Sequence, residues 1–350
     1  MPDRRHILLQ GLDVAAGSGI EIGALAWPIV SRADGNITYV DWADTETLRR
    51  KYADDPNVDV DRIVRVDAVW GDKTLAEAVG AGRKFDYVIA SHVVEHVPDL
   101  IAWIGELLAV LGEAGEIRLA VPDKRYTFDC LRRETTLADI IAAHLYRARK
   151  PMAGQVLDFF INYIPVDLLG LWQGTVDVAS LRPDPARLPL AVELARGAVA
   201  GDYHDVHCWV FSPVSFTRLM EQLVAGGWLD CRCAMFTDTA RHQLEFFIGL
   251  TREPDREAAA ASWRHAADAL VAAGDRMAAG EALAAVEADR DLHAGRLKQV
   301  EGELARIRAR LTAASERAAA AESRVAAMTR SRSWRYTAML RQLKDRLTRR

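Results

Sequence analysis

The chain has 350 residues, of which 50% are hydrophobic and 27% are charged, and its formal net charge at pH 7 is −4. This composition is typical of a globular protein with a large core, and the acidic balance argues against a nucleic-acid partner. The four cysteines form no Cys-x-x-Cys pair, and the N-terminal apolar run is too short for a signal sequence. We therefore expect free thiols and a cytoplasmic protein.

Short β-branched runs alternate with helical patterns in the first third of the chain, which predicts a parallel α/β sheet. Strands are expected at residues 19–22, 37–40, 62–67, 85–90 and 117–121, with helices at 75–79 and 100–111. The first three strands would end at Gly23, Asp41 and Asp67. Because ligands bind outside the carboxyl ends of parallel strands, these residues predict a ligand site.

Residues 123–205 interrupt the alternation and are predicted to form a helical insertion, or lid, over the carboxyl edge of the sheet. Its helical stretches are 137–149, 155–161 and 190–199. The sheet pattern then resumes with a strand at 208–211, a helix at 214–224 that begins after Ser212-Pro213, and a final strand at 244–250. We place the end of this domain at residue 252.

Beyond residue 252 the chain is rich in Ala, Glu, Arg and Leu, and residues 253–330 are predicted to be helical. Apolar or small residues recur there at alternating spacings of three and four, which predicts a coiled coil from about residue 283 and hence a homo-oligomer. The clearest members of this seam are Leu297, Val300, Leu304, Ile307, Leu311, Ala314, Ala318, Ala321, Val325 and Met328.

The last 20 residues contain seven basic residues and one acidic residue. Trp334, Met339, Leu340, Leu343 and Leu347 would share one face of a helix. A basic amphipathic helix is suited to an anionic membrane surface, which would add peripheral attachment at the inner face of the membrane to the cytoplasmic location. A solvated tail and a helix that docks on a protein are the alternatives.

Two stretches point to a family. Gly19-Ile-Glu-Ile-Gly-Ala-Leu-Ala-Trp-Pro28, followed by Asp41, resembles motif I of class I S-adenosylmethionine-dependent methyltransferases, although Gly23 alone of the usual three glycines is kept. Phe85-Asp-Tyr-Val-Ile-Ala-Ser-His-Val-Val-Glu-His-Val-Pro-Asp99 resembles the fourth-strand motif of their type-11 group. The resemblance covers residues 19–122, and it implies a doubly wound Rossmann-like sheet with S-adenosylmethionine as the cofactor.

The resemblance also implies roles for individual residues. Glu21 and Gly23 would flank the methionine and ribose of the cofactor, Asp41 would bind the ribose diol, and Asp67, Ala68 and Ser91 would line the adenine and methyl positions. If the methyl acceptor is an alcohol, a general base is needed. His92 is the first candidate, His207 and His204 are the second candidates, and Asp123 would orient one of them.

His92-Val-Val-Glu95-His96 also matches the His-x-x-Glu-His pattern of inverted zinc hydrolases. That pattern needs a helix, whereas this stretch follows a strand, so we expect no metal. The segment Ser331–Thr337 resembles tails on enzymes of bacterial surface-polysaccharide clusters. We therefore predict O-methylation of a sugar or surface-glycan precursor. The alternative is a non-catalytic methyltransferase-like scaffold that assembles partners through the coiled coil.

Overall fold

The structure, a computed structural model, describes residues 3–338, 341 and 344, and describes residues 276–289 and 335–336 by their backbone alone. The chain divides into two compact units, Met1–Gly274 and Asp275–Arg350. The first unit contains the sheet, the cavities and every residue proposed for chemistry.

The first unit is built on a seven-stranded sheet with the order β3-β2-β1-β4-β5-β7-β6. Its strands are β1 (Ser18–Ile22), β2 (Asn36–Asp41), β3 (Ala68–Val69), β4 (Phe85–Ser91), β5 (Leu111–Pro122), β6 (Cys231–Thr237) and β7 (Glu245–Arg252). The first five strands are parallel, while β7 is antiparallel to both β5 and β6. This arrangement confirms the predicted doubly wound, Rossmann-like sheet.

Side chains of β4 alternate between the two faces of the sheet. Tyr87 and Ile89 belong to one buried cluster, whereas Val88 and Ala90 belong to another. Successive side chains of a strand point to opposite faces, so an apolar run of this kind indicates a sheet that is covered on both sides. The helices of the first part of the chain are α1 (Arg4–Leu9), α2 (Thr45–Lys51), α3 (Leu75–Val79) and α4 (Leu100–Val110).

The predicted helical insertion is present between β5 and the last two strands. It contains α5 (Leu137–Leu145), α6 (Ala153–Asn162), α7 (Leu168–Gln173) and α8 (Leu188–Ala200), and α9 (Pro213–Ala225) follows it. Val156 of α6, Ala195 of α8 and Val206 form a small separate core. The insertion therefore has its own apolar contacts in addition to those with the sheet.

Two predicted strands are wrong. Arg62 ends a 3₁₀ turn (Val60–Arg62), and residues 63–67 form a loop in which the Val64 N–H donates to the carbonyl of Leu25. β3 begins only after Asp67. Residues 208–211 also form no strand: Phe211 makes a single parallel bridge with Asp123, and the Cys208 and Trp209 N–H groups donate to the carbonyl of Glu95. An apolar run indicates burial, and burial alone does not specify a strand.

The sequence also gave no indication of β6. Its residues, Cys-Arg-Cys-Ala-Met-Phe-Thr, do not alternate cleanly between polar and apolar types, so the period of two that identifies a half-buried strand is absent. The strand forms because it pairs with β7 at the edge of the sheet.

The long helix α10 (Arg256–Arg330) begins inside the first unit. Trp263 is fully buried, and Ala259, Ala260, Ala267 and Leu270 are also buried. The Trp263 indole N–H donates to the carbonyl of Cys231 at 2.9 Å. The first turns of α10 are thus part of the core, while the predicted domain boundary at residue 252 stays a prediction.

The second unit contains the rest of α10 and the short helix α11 (Arg332–Tyr336). The long helix α10 covers most of the range 253–330 that the sequence predicts to be helical. The large seam residues from Leu297 to Leu311 are each about half exposed or more. Whether that seam pairs with another chain stays a prediction. Met339, Leu340, Leu343 and Leu347 of the predicted amphipathic face lie outside the described residues. None of the helices that the structure describes is long and apolar enough to cross a membrane.

Candidate active site

A cavity of about 440 Å³ opens at the carboxyl edge of the parallel strands. Gly23, Asp41 and His92 line it, as the sequence predicts, at the ends of β1, β2 and β4. Five Trp and Tyr side chains and three Lys and Arg side chains complete much of its wall: Trp42, Tyr52, Trp70, Trp103, Tyr203, Lys51, Lys73 and Arg149. The volume lies within the usual range for small-molecule and cofactor sites.

Gly23 brings the main chain close to the cavity. Its φ of 68° lies in the left-handed region, and a Cβ at this position would lie 3.0 Å from Cγ2 of Val93. The Gly23 N–H donates to the carbonyl of Val40, which fixes the turn against β2. Glycine tolerates this conformation and leaves room for a ligand beside the backbone.

Asp41 is a buried carboxylate at the end of β2, and it faces the cavity. Its Oδ1 accepts the Trp42 N–H at 2.8 Å. Burial raises the pKa of Asp41 to about 6, while the Trp42 N–H and the charge of Lys51 oppose that shift. Asp41 can therefore change its protonation state near neutral pH.

His92 has a partner that the sequence did not reveal. Its Nε2 lies 2.6 Å from Glu245 Oε2, and the other oxygen of Glu245 accepts from Arg4 Nε at 2.8 Å. Burial alone would raise the pKa of Glu245, but His92 and Arg4 hold that pKa below its usual value. Glu245 is a carboxylate at the start of β7, directly before the apolar run 246–250, and this polar residue beside an apolar run was the available signal.

His96 and Asp205 also line the cavity. Asp205 Oδ1 lies 3.0 Å from His96 Nδ1, and its Oδ2 lies 2.7 Å from Lys51 Nζ. Burial alone would raise the pKa of Asp205, but these two cationic partners hold that pKa below its usual range. Asp205, at the end of the insertion, thus links the turn after β4 to α2 in the cavity wall.

Glu21 does not line the cavity. Its carboxylate accepts the backbone N–H groups of Ile29 at 2.6 Å and Val30 at 3.0 Å, which fixes the loop after β1. Burial raises the pKa of Glu21 to about 7, against the effect of those two hydrogen bonds. Glu21 therefore supports the loop after β1, and its contact with the cofactor stays a prediction.

Four other predicted residues also lie outside the cavity wall. Asp67 pairs with Arg32 at 2.8 Å and accepts the Tyr39 N–H, while Ala68 packs in the core. Ser91 has a buried Oγ without a hydrogen-bond partner among the described residues. Asp123 is fully buried, where it pairs with Arg125 and accepts from Thr239 Oγ1 at 2.8 Å.

His207 lies behind the cavity wall. Its Nδ1 is 2.5 Å from Asp129 Oδ2, and Asp129 also pairs with the buried Arg132. Burial alone would raise the pKa of Asp129, but His207 and Arg132 together hold that pKa below its usual range. The His207 ring meets the His96 ring edge-on, with 4.8 Å between the ring centroids. His207 therefore does not line the cavity itself but packs against His96, which does.

A family model described as a methyltransferase domain matches residues 10–223, which is more than half of the chain. The chain belongs to this methyltransferase family. With the doubly wound sheet, this makes the protein a class I S-adenosylmethionine-dependent methyltransferase. No curated protein sequence matches the methyltransferase.

Solved structures resemble the methyltransferase only distantly. A Rhodobacter sphaeroides chain described as a Zn-dependent alcohol dehydrogenase is 14% identical, with 72% of this chain and 90% of that chain covered and a TM-score of 0.40. The CcbJ methyltransferase from Streptomyces caelestis is 11% identical, with coverages of 71% and 94% and a TM-score of 0.32. Magnesium protoporphyrin IX methyltransferase from Synechocystis is 10% identical, with coverages of 71% and 80% and a TM-score of 0.30.

All three TM-scores are below 0.5, so the family assignment depends on the sequence match. The methyltransferase family implies a small-molecule methyl acceptor, which these comparisons do not identify. An enzyme of this family transfers a methyl group from its cofactor to that acceptor. The family match therefore favours an enzyme over the alternative of a non-catalytic scaffold.

Proposed function

We propose that the methyltransferase is a type-11 enzyme that methylates a hydroxyl group of a sugar or surface-glycan precursor. The observation that supports it most directly is the pairing of His92 with Glu245 in the cavity wall. An alcohol must lose its proton as it attacks, and a histidine held by a carboxylate is suited to accept that proton. The aromatic and charged side chains of the cavity wall fit a polar acceptor with apolar ring faces.

The residues at the carboxyl edge fit S-adenosylmethionine. Asp41 would accept both hydroxyl groups of the ribose, Gly23 would let the cofactor approach the backbone, and Trp42 or Trp70 would contact the adenine ring. The cofactor supplies an electrophilic methyl group on a sulfonium. The protein must then hold the acceptor oxygen in line with that methyl group, and such positioning accounts for much of the rate of a two-substrate reaction.

The acid–base work would be done by His92 and Glu245. With Nε2–H donating to Glu245, Nδ1 of His92, which lies 3.6 Å from Glu95 Oε1, is the nitrogen that would accept the hydroxyl proton. The carboxylate of Glu245 would then stabilise the imidazolium that forms. Arg4 holds the second oxygen of Glu245 and so fixes the orientation of the carboxylate.

The acceptor class can be tested directly. The full chain should transfer a radiolabelled methyl group to members of a panel of free sugars and nucleotide sugars, and not to their derivatives in which the reactive hydroxyl is absent. Transfer to amine or carboxylate acceptors alone, with no alcohol accepted, would disprove the proposed acceptor class.

Replacement of Asp41 by Asn should weaken the binding of S-adenosylhomocysteine by about tenfold to a hundredfold. The variant loses a charge-assisted acceptor from the ribose diol, and such a bond contributes about 1.5–3 kcal/mol. Isothermal titration calorimetry would measure the change. Asp34→Asn is a matched control, because Asp34 caps a loop away from the cavity. An unchanged affinity in Asp41→Asn would remove Asp41 from the cofactor site.

The carboxylate of Asp41 also predicts that the affinity for S-adenosylhomocysteine depends on pH. The ribose diol prefers the ionised form of Asp41, whose pKa is about 6 because of burial. Affinity should therefore be constant above pH 7 and fall as the pH drops through 6, by roughly tenfold at pH 5. Asp41→Asn should lose this dependence. Any pH dependence of the affinity that remains in Asp41→Asn would be assigned to Glu21, whose pKa is about 7.

We further propose that α10 forms a coiled coil between copies of the chain. Its large apolar seam residues are exposed in the single chain, and they repeat at alternating spacings of three and four. The basic tail after residue 330 would then be presented in several copies to an anionic membrane. Sedimentation with anionic vesicles, compared between the full chain and a chain that ends at residue 330, tests that last step.

Light scattering should give the full chain the mass of at least a dimer, and residues 1–274 alone the mass of a monomer. Leu304→Asp with Leu311→Asp should also make the full chain monomeric, because two charges would enter the apolar seam. Gln299→Asp with Thr312→Asp is the matched control, since these positions lie outside the seam. If light scattering gave the two double variants the same particle mass, the coiled coil would be contradicted.

A further inference from the structure

Glu95 is a buried carboxylate that lacks a conventional partner. Its side chain is 1% exposed, and neither carboxylate oxygen has a hydrogen-bond partner among the described residues. The nitrogens near Oε1 are His92 Nδ1 at 3.6 Å and His96 Nε2 at 3.9 Å, and both distances are too long for a hydrogen bond. An unpaired buried carboxylate is costly, which makes Glu95 a candidate ligand for a cation.

Two histidines are arranged around this carboxylate. One ligand atom from each of Glu95, His96 and His207 lies within 4.8 Å of the other two, the one such group among the described residues. The Nδ1 atoms of both rings already face carboxylates. His207 contacts Asp129 at 2.5 Å, and His96 forms an ion pair with Asp205 at 3.0 Å in which the hydrogen-bond angle is unfavourable.

The Nε2 atoms of both rings are therefore left to bind a further group. Histidines that bind metal ions usually donate their other N–H to a carboxylate, which fixes the ring and makes the free nitrogen a better ligand. Asp129 and Asp205 are placed to do so. Two imidazoles and one carboxylate are also the ligand set of several catalytic zinc sites and non-haem iron sites.

We propose that Glu95, His96 and His207 bind one divalent transition-metal ion, and that Zn²⁺ is the best match. Imidazole ligands disfavour Mg²⁺ and Ca²⁺, which prefer oxygen ligands alone. At metal–ligand distances of about 2.0–2.1 Å, the ligand atoms of a tetrahedral site lie roughly 3.4 Å apart. The observed separations require side-chain movements of about 1 Å to reach that geometry.

This ligand set differs from the zinc pattern in the sequence. His92, the first residue of His-x-x-Glu-His, turns to Glu245 instead, and the third ligand comes from His207, 111 residues after His96. The ion would join the turn after β4 to the segment that follows the insertion. Because His96 also lines the cavity, the ion would fix that part of the cavity wall. The proposal is independent of the identity of the methyl acceptor.

The test uses the full chain, without an affinity tag, after treatment with a chelator and dialysis. Titration with Zn²⁺ against a chromophoric chelator should show one site per chain with a micromolar or lower dissociation constant. Co²⁺ should give the visible absorption of a four- or five-coordinate ion. Saturating Zn²⁺ should raise the melting temperature by about 5 °C or more. Less than a tenth of an equivalent bound by the wild-type chain overturns the proposal, whatever the variants do.

Substitutions then locate the site. Glu95→Gln and His207→Asn should each weaken Zn²⁺ binding by at least about a hundredfold, and Asp129→Asn should weaken it by about 10–100-fold through the orientation of His207. His144→Asn is the matched control, because His144 contacts Asp99 at 3.1 Å in a similar pair away from the cluster. Binding of S-adenosylhomocysteine would confirm that each variant is folded. Unchanged Zn²⁺ affinity in the folded Glu95→Gln and His207→Asn variants assigns the ion to another site and overturns the proposal.

Discussion

His92→Asn is expected to lower kcat by about 10²–10⁴-fold, the usual contribution of a general base, with the affinity for S-adenosylhomocysteine nearly unchanged. His92 has a φ of 54°, and asparagine tolerates the left-handed region better than most residues. The substitution should therefore remove the base and leave the backbone in place. Initial rates with the best acceptor of the sugar panel, together with calorimetry, would separate the two effects.

His242→Asn is a matched control for this experiment. His242 has a φ of 66° and does not line the cavity, so the same substitution is made in the same backbone conformation without loss of the proposed base. Glu245→Gln should lower kcat as well, because the amide cannot stabilise the imidazolium by its charge. A His92→Asn enzyme that keeps more than a tenth of the wild-type kcat would exclude His92 as the base.

The second large effect concerns stability. Trp263→Ala should lower the free energy of unfolding of the first unit by about 3–5 kcal/mol, because the indole is fully buried and its loss leaves a cavity. It would also leave the carbonyl of Cys231 without its indole donor. Thermal denaturation followed by near-ultraviolet circular dichroism would measure the loss of tertiary structure.

Two comparisons make this prediction specific. Trp263→Phe keeps most of the buried area and should cost much less than Trp263→Ala. A chain that ends at residue 252 lacks the buried start of α10 and should be far less stable than one that ends at residue 274. Equal melting temperatures for the two truncated chains would show that the first turns of α10 contribute little, and that residue 252 is the true boundary.

The fold was largely predictable because most strands follow a simple physical pattern. β1, β2, β4, β5 and β7 are apolar, β-branched or aromatic runs bounded by glycine, proline or polar residues. β6 was missed because it has no such pattern and depends on pairing with β7. Residues 208–211 misled for the opposite reason, since they are apolar and buried but pair with the end of β5 only through the bridge between Phe211 and Asp123.

The site was predictable only where sequence order and strand order coincide. Gly23, Asp41 and His92 each end a strand, so the fold brings them to one edge. Asp67 has the same kind of position in the sequence but is held by Arg32, a contact between loops that no local pattern reveals. The contact between His92 and Glu245 joins residues 153 positions apart, and it could not be inferred without the register of β5 and β7.

The antiparallel direction of β7 has a consequence for how this chain could acquire its C-terminal extension. Because Glu245 pairs with Pro122 at the carboxyl end of β5, β7 starts beside the cavity and ends at Arg252 on the opposite edge of the sheet. A parallel last strand would instead end beside the cavity. Here β7 leaves the sheet at the edge away from His92 and Glu245, so the chain after Arg252 could vary during evolution without a change in the strand ends that carry these two residues.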